Sequence, residues 1–420
     1  MVSRSVLSNG VRVLSEAMPQ MVSSTIGIWV ENGSRYETPA ESGVSHFIEH
    51  LLFKGTKKRT AAQIAEEMDN VGGVLNAFTG KEYTCYYAKV LGADLPMTID
   101  LLADIFLESI FDSEEIDRER QVVLQEISQA EDTPDDFVHD LFTLKFWEGH
   151  PLSLPIFGSV DSVNKIHRGL LRSFMAERYR AHRVFIAAAG QVDHDQLVRD
   201  CERLFGVIKG DGMTEKIAPP ADRRFVIYHE KKLEQAHICI GGPGLSQGAE
   251  LRYASYLLNT ALGGGMSSRL FQEVREKRGR VYSIYSFMSS FADCGYFGIY
   301  AGTNPEWVDE VLEVTMREVR KVARDGLAPA ELARSKSQLK GNMLLGLEGT
   351  ESRMNRLARN EIYFRREIPV AELAAGIDAV TNDQIVELAS AWFQPEKMAM
   401  ILLGDLKGKK LDQSVFSALA

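Results

Sequence analysis

The hydrophobic and polar positions in the first half of the chain predict strands and helices in alternation. Residues 25–30, TIGIWV, form a strand-like run, and the apolar helical segment that follows ends at Gly55, a residue suited to a helix C-terminus. The stretch 74–91 is rich in Thr, Tyr and Val and predicts two strands or one bent strand. Further helices are predicted at 60–73, 94–109 and 113–131. The first half therefore predicts an α+β domain.

The second half of the chain repeats this order of elements, although few residues are identical. Strands are predicted at 224–230 and 236–244, helices at 250–264 and 267–279, paired strands at 281–303, helices at 305–325 and 329–348, and a last strand at 398–404. Residues 207–223 are rich in Gly, Pro and charge and predict a linker. The predicted fold class is α+β: two similar α/β-sandwich domains, 1–210 and 221–420, each with a mixed, mainly antiparallel sheet and helices on one face.

Composition and charge narrow the classes of function. The 420 residues exceed a single ordinary core, and the 45% hydrophobic and 25% charged residues are typical of a globular protein. The formal net charge of -10 argues against nucleic acid or an anionic membrane surface as the main partner. No run approaches the roughly 18 apolar residues that a membrane-spanning helix needs, so we expect no membrane span.

Two further features bear on the compartment. Asn9-Gly10 lies between two alternating apolar stretches and predicts a hairpin, where a secreted protein would carry the apolar core of a signal peptide. The four cysteines are scattered and include no CxxC pair, which is typical of free thiols in a reducing compartment. We therefore expect a cytoplasmic protein.

The segment HFIEH, residues 46–50, places two histidines and a glutamate in an otherwise apolar helical run. Residues four apart share one face of a helix, so His46 and His50 point the same way and can bind one zinc ion through their ring nitrogens. Glu49 lies on the adjoining edge, where it can take a proton from a water molecule at the metal. Three ionisable groups in so apolar a helix would be costly if buried without compensation, and a metal ion supplies it.

A hydrolytic zinc site needs a third protein ligand. The acidic helix predicted at 113–131 offers Glu119 and Glu126, which are seven residues apart and two turns along one face. Glu126 lies beside apolar Val123 and Ile127, on a side of the helix that we expect to face the core. A solvated face of Glu and Arg residues is the other interpretation of this helix.

The HFIEH motif together with Glu126 resembles the pitrilysin, insulinase and mitochondrial processing peptidase family of inverted-motif (HxxEH) zinc metallopeptidases, in a short two-domain bacterial form. The resemblance implies a zinc-dependent endopeptidase with one Zn²⁺ per chain, bound by His46, His50 and Glu126. It also implies that Glu49 is the general base, and that Glu119 supports the site without binding the metal.

The resemblance also assigns residues that bind the substrate. LNAFTGKEYTCYY, residues 75–87, matches the family's strand that accepts a peptide by β-augmentation, with Asn76, Ala77 and Phe78 at the substrate. Arg275 and Tyr282 match a pair that clamps the substrate and stabilises the oxyanion. Without the resemblance, Arg275 is equally well a surface helix residue and Tyr282 a strand aromatic.

The chain length is similar to that of family members that work as two-chain assemblies, in which the Arg–Tyr pair faces the metal of the partner chain in a closed chamber. Because this chain carries both the metal motif and the pair, the resemblance implies a homodimer that cleaves peptides or unfolded segments. The alternative function is a non-catalytic or heterodimer-dependent core subunit of a processing peptidase assembly.

Overall fold

The structure is a computed structural model that describes residues 2–210, 217–406, 408 and 411–419, so residues 211–216 of the predicted linker lie outside the described residues. The strands are β1 Val2–Val6, β2 Arg12–Ala17, β3 Ser23–Val30, β4 Val74–Thr79, β5 Thr84–Leu91, β6 Val184–Gly190, β7 Val226–Glu230, β8 Ala236–Pro243, β9 Val281–Ser290, β10 Gly295–Thr303 and β11 Ala399–Gly404. The α-helices are α1 Val44–Leu52, α2 Ala61–Asn70, α3 Leu95–Glu108, α4 Ser113–Glu131, α5 Pro134–Phe146, α6 Val160–Lys165, α7 Arg168–Arg178, α8 His194–Phe205, α9 Arg252–Leu262, α10 Val308–Asp325, α11 Pro329–Gly346, α12 Thr350–Phe364, α13 Val370–Ala379 and α14 Asn382–Trp392.

The chain forms two compact units that are not contiguous in sequence. The first unit contains Met1–Gln129, Leu154–Ile217 and Gly346–Glu367, and the second contains Ala130–Ser153, Ala218–Leu345 and Ile368–Ala420. Helix α5, from the first half of the sequence, therefore belongs to the second unit, and helix α12, from the second half, belongs to the first. In these two segments the units differ from the contiguous domains expected from the sequence.

The first unit is built on a six-stranded mixed sheet with the order β1-β2-β6-β3-β5-β4. Strands β2 and β6 are parallel, and the other neighbouring strands are antiparallel. Helices α1, α3 and α8 pack on one face over a continuous apolar core. Helix α12, which comes from the second half of the sequence, covers the other face, and its Met354 is fully buried there. On the same face, Trp29 and Phe185 stack with ring centroids 6.0 Å apart.

The second unit is built on a five-stranded mixed sheet with the order β7-β11-β8-β10-β9. Strands β7 and β11 are parallel, and the other neighbours are antiparallel. This arrangement matches β2-β6-β3-β5-β4 of the first unit strand for strand, so the internal repeat expected from the sequence is present in the fold. Helices α9 and α10 pack on one face. Helix α5, which comes from the first half of the sequence, covers β8 and β11 on the other face.

The predicted elements agree with the structure in most places. Residues 113–131 form α4, and the stretch 74–91 forms two antiparallel strands rather than one bent strand. The predicted helix 267–279 differs, because Phe271–Glu276 is a π-helix in which Lys277 N donates to the carbonyl of Gln272 five residues earlier. Of the helices that the structure describes, none combines the length and the apolar character that crossing a membrane requires.

Candidate metal centre

Helix α1 presents two histidines on one side and an apolar surface on the others. Val44, Phe47, Ile48, Leu51 and Leu52 are buried in the core of the first unit, which fixes the orientation of the helix. His46 and His50, one turn apart, are half-buried, and their ring centroids lie 4.6 Å apart. The burial of the apolar residues thus holds both imidazoles together at one edge of the core.

The third predicted ligand, Glu126, meets the two histidines from helix α4. Its Oε2 atom lies 3.7 Å from His46 Nε2 and 3.6 Å from His50 Nε2. One donor atom from each of the three residues lies within 4.8 Å of the others. Val123 and Ile127 are buried beside Glu126, which explains why this part of α4 faces α1.

The chemistry and spacing of these donors fit a zinc ion. The two N···O separations are too long for hydrogen bonds. Ligands at about 2.0–2.2 Å from one tetrahedral zinc ion lie about 3.4 Å from each other, close to the observed spacing. Two imidazoles and one carboxylate are a donor set found in catalytic zinc sites, which keep a further coordination position for water or substrate.

Glu119 connects to the centre through His50. Its Oε2 atom lies 3.0 Å from His50 Nδ1, and its Oε1 atom lies 2.7 Å from Lys54 Nζ. The residue is only 5% exposed. A carboxylate at Nδ1 favours the ring tautomer that donates from Nδ1, and that tautomer has its Nε2 lone pair free for a metal. The resemblance to the family implied a supporting role for Glu119, and in the structure its contact is with the ring of His50.

Electrostatics suit both the ligands and the expected base. Burial lowers the pKa of His46 to about 4, and the neighbouring His50 lowers it as well, so the His46 ring is neutral near pH 7. Burial raises the pKa of Glu49 above its ordinary value, against the lowering effects of a hydrogen bond from Thr79 and the charge of His50. A raised pKa makes the Glu49 carboxylate a stronger base than an ordinary glutamate, which suits a group that takes a proton from water.

Glu37 holds the first turn of α1, and sequence reasoning missed it. The helix starts after Gly43, whose φ is +94° and where a Cβ would lie 2.7 Å from the carbonyl oxygen of Phe157. Buried Glu37 accepts hydrogen bonds from Gly43 N at 2.8 Å and Ser45 N at 2.7 Å. Burial raises the pKa of Glu37 to about 7, and these hydrogen bonds oppose the shift. A cap is sought next to a helix, so a carboxyl group this far upstream gave no sequence signal.

The predicted substrate strand is β4, at the edge of the first sheet. Ala77 packs towards the core that contains α1, whereas Phe78 packs on the opposite face with Trp29, at a ring-centroid distance of 5.5 Å. Asn76 is exposed, and its Oδ1 accepts from the main-chain N–H of Ala77 at 2.8 Å. Thr79, the last residue of the strand, donates its hydroxyl to Glu49 Oε2. Thr79 lies within the matched segment but was not singled out from the sequence.

Arg275 and Tyr282 lie together in the second unit. The Arg275 guanidinium carbon lies 5.5 Å from the centroid of the Tyr282 ring and 4.8 Å from that of Phe271, so the cation contacts both rings. Arg275 and Phe271 belong to the π-helix, and Tyr282 follows at the start of β9 with 77% of its surface exposed. An exposed tyrosine beside an arginine is available for contact with another molecule. Phe271 was not predicted from the sequence.

The chain is similar to peptidase families and to bacterial proteins described as zinc proteases. Residues 12–160 match the family described as insulinase (peptidase family M16), and residues 165–339 match the peptidase M16 inactive domain. A protein of Streptomyces coelicolor described as an uncharacterized zinc protease is 44% identical over 97% of this chain and 91% of its own length. One of Bacillus subtilis with the same description is 40% identical over 96% of this chain and 98% of its own.

A solved structure shares the fold over nearly the whole chain. The crystal structure of a peptidase M16 inactive domain from Pseudomonas fluorescens has a TM-score of 0.90 at 20% identity, covering 98% of this chain and 99% of that chain. The two family matches together span most of the sequence, and the relatives are similar over almost their full lengths. The chain therefore belongs to the insulinase family of peptidases, peptidase family M16.

Proposed function

We propose that this chain is a zinc-dependent endopeptidase that hydrolyses peptides or unfolded segments, with Glu49 as the general base. The observation that carries the proposal is the convergence of one donor atom each from His46, His50 and Glu126. Glu49 lies beside His50 on helix α1. The relatives described as zinc proteases support the choice of metal and of reaction class.

Each residue has a defined task in this proposal. One zinc ion per chain, held by His46, His50 and Glu126, would supply the Lewis acidity that polarises the scissile carbonyl and makes water acidic near pH 7. Glu49 takes the proton of the attacking water and then delivers it to the leaving nitrogen, which departs as an amine. Glu119 keeps the His50 ring in the orientation and tautomer that a ligand needs.

The edge strand β4 provides the binding surface for the peptide. An extended segment adds to the edge through main-chain hydrogen bonds, which read no side chain and so suit many sequences. Asn76, Ala77 and Phe78 lie along this strand, which ends at Thr79 beside the general base. A bound strand would therefore run past the metal ligands. Folded proteins rarely offer a free extended segment, so we expect unfolded substrates.

The test is peptide cleavage by the purified chain. We expect a zinc-loaded preparation to cleave an unstructured, quenched fluorescent peptide at internal bonds, and to leave a stably folded protein intact. A metal chelator should remove the activity, and added Zn²⁺ should restore it. Mass spectrometry of the products distinguishes internal cleavage from trimming at the ends, and trimming alone would contradict an endopeptidase.

We further propose that two copies of the chain form a closed dimeric chamber in which Arg275 and Tyr282 of one copy act at the metal of the other. Tyr282 stabilises the oxyanion. Arg275, which contacts the rings of Phe271 and Tyr282, fixes the position of the Tyr282 ring and binds carbonyl groups of the substrate. The exposure of Tyr282 and its contact with Arg275 support this division of labour.

Mixing two inactive variants tests the shared site. Glu49→Gln and Tyr282→Phe should each lower kcat, the second by about 10²-fold. A refolded or coexpressed equal mixture should recover about a quarter of wild-type activity, because half of the dimers are mixed and each then has one intact site. Mixing Glu49→Gln with His50→Ala is the matched control and should recover nothing, since both defects affect the metal-binding unit. No recovery in the first mixture would contradict a site shared between chains.

The protein is proposed to act in the cytoplasm. Cys85, Cys201 and Cys239 are buried, Cys294 is half-buried, and none of the four forms a disulfide bond in the structure. Cysteines that form no disulfide bonds are typical of a reducing compartment.

A second candidate function is a non-catalytic or heterodimer-dependent core subunit of a processing peptidase assembly. The match of residues 165–339 to a domain described as inactive favours it. That match begins after all three metal-binding candidates, however, so it describes the second half of the chain and not the part that carries the donors. A pure, zinc-loaded dimer that cleaves no peptide would favour this second function.

A further inference from the structure

We infer that Thr79 is a positioning residue that couples docking of a peptide strand on β4 to the orientation of the Glu49 carboxylate. The inference rests on the proposed endopeptidase function and adds to it a link between substrate binding and the general base. The hydroxyl of Thr79 donates to Glu49, which is not one of the metal-binding candidates, so its effect would pass through Glu49.

The side chain of Thr79 points towards the metal-binding helix. Its Oγ1 atom donates to Glu49 Oε2 at 2.5 Å. Side chains alternate between the two faces of a strand, and Leu75 and Ala77, four and two residues before Thr79, pack into the core that contains α1. Phe78 packs on the opposite face. The hydroxyl therefore reaches Glu49 because of the face that the strand register assigns to residue 79.

The main chain of Thr79 points in a different direction. Gly80 N donates to the carbonyl of Tyr83, so these residues form a hydrogen-bonded pair of the β4–β5 hairpin. Antiparallel pairs alternate, and the next pair, Thr79 with Thr84, is therefore one whose main-chain groups point away from each other. The N–H and C=O groups of Thr79 are thus directed to the outer edge of the sheet, as are those of Ala77.

One residue therefore faces both the general base and the position of an added strand. Threonine is branched at Cβ, so its side-chain rotamer depends closely on its main-chain conformation. A peptide that pairs with the edge fixes the main chain of Thr79, and with it the hydroxyl that holds Glu49 Oε2. The turn after β4 is held by Ser34 N and Arg35 N, which donate to the carbonyls of Gly80 and Lys81, whereas a paired strand would act on Thr79 itself.

Substitution of Thr79 separates positioning from binding. Thr79→Val keeps the shape and removes the donor, and we expect kcat to fall about 10- to 100-fold, with KM changed less than about threefold and zinc content equal to wild type. Thr79→Ser keeps the donor and should restore most of the rate. The matched control is Thr84→Val, directly opposite in the hairpin, whose hydroxyl donates to the Asn32 carbonyl at 3.0 Å and not to Glu49. An equal loss of kcat in Thr84→Val would attribute the effect to the hairpin and overturn the inference.

The coupling itself is tested with peptides that each carry one N-methylated main-chain amide. In the wild type, methylation at the amide that pairs with Thr79 should lower kcat, and the same peptide should lose less in Thr79→Val, because the link is already broken. Independent losses at every methylated position would overturn the coupling. These outcomes require only that the wild type cleaves peptides and Glu49→Gln does not, so a failure of this inference is distinguishable from a failure of the proposed function.

Discussion

Replacing Glu49 with glutamine is expected to lower kcat by about 10³-fold or more while the zinc content stays at that of the wild type. Glutamine keeps the shape and can still accept the Thr79 hydrogen bond, but its amide cannot take a proton from water. Glu49 supplies no donor atom to the cluster formed by His46, His50 and Glu126, so its charge is not needed to hold the metal. The variant should also bind peptide with an affinity close to that of the wild type.

The measurement pairs steady-state peptide cleavage with elemental analysis of the same sample. Glu114→Gln is a matched control, because Glu114 lies on the exposed side of α4, where its side chain is 79% exposed and paired with Arg118. This control should show wild-type rates and zinc content. If Glu49→Gln lost zinc together with activity, Glu49 would be a ligand and the division of roles within HFIEH would be wrong. If it kept activity, another group would be the base.

The local part of the site could be predicted from the sequence, since it follows from the periodicity of one helix. The spacing of His46 and His50 requires only that residues 44–52 are helical, and the apolar residues between them indicate which side is buried. Glu126 is different, because periodicity shows which face of α4 is buried but not which helix that face meets. The family resemblance supplied that contact, and in the structure Glu126 Oε2 lies 3.6–3.7 Å from the Nε2 atoms of the two histidines.

Other features depend on tertiary contacts that no local pattern records. The apolar faces of α5 and α12 could pack equally well on either sheet. The sequence therefore does not reveal that each helix covers the sheet formed mainly by the other half of the sequence. The π-helix at Phe271–Glu276 differs from an α-helix by one residue per hydrogen bond, and residue types alone do not distinguish the two. Glu37 and Thr79 contact α1 from a loop and a strand whose positions are set by the whole core. The missed residues are therefore those that orient the motif, whereas the motif itself was visible.

Replacing His50 with alanine is expected to remove both zinc and activity, in contrast to Glu49→Gln. The substitution deletes one of the three donors and leaves buried Glu119 with Lys54 alone. We expect bound zinc to fall below about one-tenth of the wild-type content, and cleavage to fall by about 10³-fold or more, because two protein ligands do not hold zinc against dilution. Glu119→Gln should be intermediate, with zinc affinity weakened about 10- to 100-fold, since it disturbs only the partner of a ligand.

Thermal unfolding with and without a chelator distinguishes loss of metal from loss of fold. Zinc bound only to the folded state stabilises it, by about 4 kcal/mol when free zinc is about 1,000 times its Kd, so chelation should lower the Tm of the wild type. His50→Ala should unfold near the Tm of the chelated wild type and should not respond to chelator, because it has no bound zinc to lose. His229→Ala, at an exposed histidine of the second unit, serves as the control and should respond as the wild type does. A His50→Ala protein that kept its zinc and its response to chelator would show that the metal is held elsewhere. Without His50, only His46 and Glu126 would remain as protein ligands, and two ligands do not bind zinc tightly.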